Sequence, residues 1–128
     1  MPGRRAARKQ ALDLLYQWDV TGQPLGSLFE GEIDPYARET AAAVADRAEE
    51  LDRRITAAAV GWPSDRLGSV ERNILRIAVH ELDRGDVPAA AAIAEAVALA
   101  KRYASEDAGR LVNGILGRIQ GEIAESRA

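Results

Sequence analysis

The chain has 128 residues, 47% of them hydrophobic, with no cysteine, one histidine and a net charge of −3. That length suits one domain burying roughly two thirds of its unfolded surface, and the composition excludes disulfides, thiolate chemistry and a transition-metal site built on cysteine and histidine. The charge is divided by region: Arg4, Arg5, Arg8 and Lys9 stand in the first ten residues with no acid among them, whereas the remainder holds 13 Lys and Arg against 20 Asp and Glu.

Asp13 and Gln17 interrupt the first hydrophobic run, so the basic start is not a secretion signal. No window approaches the roughly 20 consecutive apolar residues of a membrane span; the richest, Val87 to Ala100, is mostly alanine and contains Glu95. A soluble, cytoplasmic protein is expected.

Alanine, leucine, arginine and glutamate dominate, and alternating β-branched runs are absent, which predicts an all-α fold. A first helix over about residues 4 to 19 carries Ala7, Ala11, Leu14, Leu15 and Trp18 on one apolar stripe. Thr21 to Ile33, with Gly22, Pro24, Gly26 and Gly31, reads as a connection holding one helical turn. Asp34-Pro35 restarts a helix, the aspartate capping free amides and the proline taking the first position, where its missing N–H costs nothing. The stripe Ala37, Ala41, Val44, Ala48, Leu51, Ile55 and Ala58 then runs toward Gly61, long enough for two helices in line with a kink near Ala48 to Glu50.

The breaker cluster GWPSDRLGS, residues 61 to 69, divides the chain into an N-terminal sub-bundle of about 1–63 and a C-terminal one of about 64–128. Beyond it, Ser69 is placed to cap a helix that Gly85 stops near Arg84. Val87-Pro88 opens another to about Tyr103, and Ser105 caps a last one to about Ile123.

At 100° per residue, Arg5, Lys9, Leu12 and Tyr16 share one sector of the first helix, with Arg8 beside it and the apolar stripe elsewhere. Cations for phosphates and a ring for an unstacked base are what single-stranded RNA requires. The plainer reading is a solvated charged face. Cations in a first turn nevertheless oppose the helix dipole, and an external anion would account for them.

In SVERNILRIAVHEL, Val70, Ile74, Ile77, Ala78 and Leu82 form the buried side and Glu81 projects from its middle. A buried carboxylate needs a partner, and a structural link between helices is favoured over catalysis because no second acid or nucleophile accompanies it. Arg72, Arg76 and His80 fall on the opposite side and are expected to face solvent. In the last helix Val112, Ile115, Leu116, Ile119 and Ile123 form the stripe, while Asp107, Leu111, Gly114 and Arg118 share another face. Gly114, Gly117 and Gly121 suggest a close backbone approach to a neighbouring helix or a ligand. No phosphate loop, nucleophile elbow or metal-ligand cluster is present, so catalysis has no visible residues.

Three segments, RRAARKQALDLLYQWD, SVERNILRIAVHEL and VPAAAAIAEAVALAKRYASEDAGRLVNGIL, in that order and covering about half the chain, closely resemble the NusB family of bacterial transcription antitermination factors. The resemblance implies an all-α fold of two three-helix bundles, no enzymatic activity and no cofactor. It implies pairing with NusE, a small-subunit ribosomal protein, and binding of the pair to boxA RNA within the RNA polymerase antitermination complex. Carried over by motif, Arg4, Arg5, Arg8 and Tyr16 fall where the family contacts RNA, and Lys9 joins them on the basic face. Tyr16 and Glu71 fall at the NusE contact, and Asp107 at the RNA surface.

Two departures stand out. Leu111, which the motif also places at the RNA surface, replaces the phenylalanine that many members have before VNG, so a stacking contact there would be lost; Ala94 replaces the asparagine of INEAV, and with it any hydrogen bond from that side chain. The same fold fronts ribosomal RNA cytosine methyltransferases, for whose catalytic domain 128 residues leave no room. The competing expectation is a helical interaction or dimerisation module without RNA binding, since some relatives self-associate. The roles of Lys101 and Arg118, as salt bridges or RNA contacts, stay open.

Overall fold

The structure, a computed structural model, describes residues 4–62 and 67–127. The chain folds into α1 (Arg4–Thr21), a short 3-10 turn (Leu25–Leu28), α2 (Pro35–Asp46), α3 (Ala48–Ala58), α4 (Ser69–Arg84), α5 (Ala89–Tyr103) and α6 (Glu106–Ser126). No strand occurs among the described residues. The expected boundary near residue 63 lies outside them.

Local chemistry sets the helix ends. The Asp34 carboxylate accepts the Tyr36 N–H at 2.8 Å with Pro35 at the first position, and the Ser105 hydroxyl accepts the Ala108 N–H at 3.0 Å. Gly85 closes α4 with φ +74°, a left-handed conformation that a side chain resists. The break between α2 and α3 falls at Arg47 (φ −100°, ψ 7°), just ahead of the expected kink. Ser69 does not cap α4. Gly68 occupies that position, and the Ser69 hydroxyl instead donates to Asp19 of α1 at 2.9 Å.

The apolar stripes meet in one core, with Leu15, Val44, Leu51, Ile55, Ile74, Leu75, Leu116 and Ile119 fully buried. At its centre lies α4, which packs against each of the five other helices. Every residue from Asn73 to Leu82 is consequently buried, which corrects the expected solvent exposure of Arg76 and His80. A helix surrounded on all sides has no free face, so its polar residues must find partners inside.

They do. Arg76 donates to both oxygens of Asp52 in α3 (2.8 and 2.6 Å) and to Asn73 Oδ1 (2.8 Å). Arg47 donates to the Nδ1 of His80 at 3.0 Å and, with Arg54, grips Asp83 (2.6 and 2.7 Å). Val70 is only half-buried, and Leu111, expected outside the stripe of α6, lies in the core. A Cβ added to Gly114, Gly117 or Gly121 would meet nothing within 4 Å, so the expected close approach is absent there. It occurs instead at Gly109, where a Cβ would stand 2.6 Å from Cγ of Lys101.

Candidate nucleic-acid interface

The start of α1 brings four cations into three different environments. Arg8 is 6% exposed, and its Nε donates to both oxygens of Glu81 at 2.9 and 3.0 Å. The Tyr36 hydroxyl donates to the same carboxylate, so α1, α2 and α4 are joined through the acid that the sequence places in the middle of an apolar side. Burial, then the bond to Glu81, pushes the Tyr36 hydroxyl up to about 12. The expectation that Arg8 is offered outward is thereby corrected. It shares a face with Leu12 and Leu15 at i+4 and i+7, both buried, and that spacing was the available signal. Leu12, assigned with the basic face, belongs to the core for the same reason.

Arg4 is exposed, 4.4 Å above the Tyr36 ring and 3.8 Å from Asp86. Arg5 and Lys9 point along the outer side of the helix. The Arg5 guanidinium makes two bonds to Glu95 of α5, at 3.0 and 2.8 Å, and remains largely exposed. Its hydrogen bond holds the Glu95 carboxyl below, and Arg5 above, their ordinary ranges. Lys9 bonds Asp13 one turn on, at 2.6 and 2.8 Å, and its ammonium lies 4.7 Å from the ring centre of Tyr103. The anions that offset the helix dipole in this first turn are therefore supplied in part by the protein itself.

Between α1 and the second half of α5 runs an open groove of about 790 Å³. Ala6, Ala98 and Leu99 form its apolar floor, and Arg5, Lys9, Lys101 and Arg102 line it against a single acid, Glu95. Tyr103, the last residue of α5, stands at its edge, 40% exposed. Two contacts bridge the groove, Arg5 to Glu95 and Lys9 to Tyr103, about 12 Å apart along α5 by their eight-residue spacing. Lys101 is thus placed on the groove, with its stem laid across Gly109 of α6.

The remaining sequence-predicted residues lie elsewhere. Tyr16 is exposed on α1 but does not line the groove. Glu71 sits in the first turn of α4, partly exposed, and accepts the Gly68 N–H at a long 3.4 Å. Asp107 is exposed at the start of α6 and paired with Arg110. Leu111 and Arg118 line a second, smaller groove of about 330 Å³ with Trp62 and Gly114. Sequence reasoning missed Arg102 and Tyr103 altogether; the available signal was the run KRY, two cations and a ring at a helix C-terminus. Among the described residues no cluster of potential metal ligands occurs, and no helix is long and apolar enough to cross a membrane.

Residues 5–121 match the model of the NusB family. The chain is 35% identical to the transcription antitermination protein NusB of Solibacter usitatus, over 100% of this chain and 95% of that protein. It is 41% identical to that of Salinispora tropica, over 93% and 96%. Among solved structures, it resembles a chain in the crystal structure of antitermination factors NusB and NusE in complex with dsRNA (TM-score 0.81, 35% identity, 93% of this chain and 96% of that one). The solution structure of NusB from Aquifex aeolicus is similar (TM-score 0.80, 36% identity, 100% and 94%).

Proposed function

The chain belongs to the NusB family, and from that premise we propose that it is a transcription antitermination factor that binds boxA-type single-stranded RNA jointly with NusE. On this reading the protein acts by assembly in the cytoplasm, without catalysis. It positions RNA and partner so that the elongating polymerase passes termination signals.

The observation that carries the proposal is the groove between α1 and α5, with four cations against one acid. The whole chain is acidic, at −3, so long-range attraction to RNA is weak and affinity must come from this local patch and from the partner's charges. Arg4 extends the patch to the helix start. Tyr16, Glu71 and Asp107 mark the accompanying contacts, Tyr16 serving both RNA and NusE, Glu71 NusE and Asp107 the RNA. Arg8 contributes indirectly, by fixing α1 to α4 through Glu81.

The test is a gel-shift titration of boxA-like RNA with this protein alone, with NusE alone and with both. Weak retardation by either alone and cooperative retardation by the pair is expected. Equal binding by NusE with or without this chain would instead favour a helical interaction module without RNA contact.

A further inference from the structure

Building on the RNA-binding reading above, we propose that Tyr103 is the seat of a single unpaired nucleobase, held in the groove between α1 and α5 by stacking on the phenol ring. Lys9, Lys101 and Arg102 take the phosphates on either side. Each part of the seat is present. The ring is exposed at the groove's edge. The neighbouring floor is apolar, which suits the face of a base and offers nothing to a phosphate. Two cations already lie over the ring, the Lys9 ammonium at 4.7 Å and the Arg102 guanidinium at 5.6 Å.

Those cations hold the ring only loosely, because a cation–π contact in reach of water is weak. Arg102 makes no ion pair among the described residues, and the Lys101 ammonium has only a distant acid, Glu106 at 4.0 Å. A base that stacks on Tyr103 displaces these side chains from the ring and leaves them beside its own flanking phosphates. For Arg102 the exchange replaces a weak contact with a stronger one, while Lys9, bonded to Asp13 at 2.6 Å, shares its charge between that acid and the phosphate. The seat also favours single strands: a base inside a duplex is covered on both faces by its neighbours and presents none to a ring.

Gly109 prepares the site. With no Cβ at that position, the Lys101 stem lies flat on α6, at the groove's lining and with its ammonium 4.0 Å from Glu106.

The test uses the full chain, with an unstructured RNA of about a dozen nucleotides, the same RNA annealed to its complement, and an iodouridine-bearing version for photo-cross-linking. Tyr103→Ala should weaken single-strand binding by about tenfold, whereas Tyr103→Phe, which keeps the stacking face, should bind like the parent. The slope of affinity against salt should be unchanged in Tyr103→Ala, because no charge is lost. It should flatten in the double variant Lys101→Ala, Arg102→Ala. Illumination should cross-link the tryptic peptide that contains Tyr103.

Parental affinity in Tyr103→Ala, or cross-links confined to other peptides, would overturn the seat and leave RNA binding standing. Duplex binding as tight as single-strand binding would also overturn it. If the parent binds no RNA either alone or with NusE, the proposed function falls together with the seat. Tyr103 ends its helix at the surface, so circular dichroism of the alanine variant should match the parent.

Discussion

Removal of the Arg8 guanidinium leaves the Glu81 carboxylate, 1% exposed, with the Tyr36 hydroxyl as its remaining side-chain donor. Arg8→Met should therefore destabilise the fold by about 3 to 5 kcal/mol, while Arg8→Met combined with Glu81→Met should cost less, because no charge is then stranded. Urea denaturation midpoints of the three proteins measure the difference. His80 bears on pH. Arg47 donates to its Nδ1, so the ring proton sits on Nε2, which has no hydrogen-bond partner among the described residues. Burial first, and Arg47 next, lower its pKa from the usual 6.5. Between that value and the lower folded one, the unfolded chain binds the additional proton, so stability falls as pH falls through this window. The lowered carboxyls of Asp83 and Glu95 act only further down, from their ordinary 3.8 and 4.5. Stability measured from pH 7 to 5 should decline in the parent and flatten in His80→Gln.

Helix by helix, α6 carries avoidable cost. Gly117 and Gly121 are exposed and have open space where a Cβ would stand, so replacing either with alanine should raise stability by about 1 kcal/mol, visible as a higher denaturation midpoint with unchanged slope. Helix positions were legible in the sequence because Asp34-Pro35, Gly85 and Ser105 act locally: each satisfies or ends a turn with atoms a few residues away. Facing directions were legible only in part. Helical periodicity gives direction about a helix's own axis and says nothing of how many neighbours surround it. Arg76 and His80 point away from the apolar side of α4 as expected, but that other side meets α2 and α3 rather than water. Only the spacing to Leu12 and Leu15 sets Arg8 apart from Arg5 in the sequence; what holds it inside is Glu81, 73 residues beyond it.

For the whole molecule, the central position of α4 explains why the candidate interface and the core are so closely joined. The helix that carries Glu81 anchors α1 through Arg8, and the same α1 presents Arg5, about a turn before it, and Lys9, the next residue, to the groove. The groove itself was only half legible: its α1 wall came from the basic start, but its α5 wall depends on a packing geometry that no local pattern encodes. The acids paired with its cations have a further consequence. Glu95 and Asp13 are resident counterions, tethered to the chain and already seated on Arg5 and Lys9. An arriving phosphate at either cation must carry out an anion exchange, and the vacated carboxylate then recaptures part of the small-cation atmosphere that the nucleic acid sheds. The entropy released per contact is thereby reduced, and a passing polyanion that offers charge alone gains little over the anions already in place.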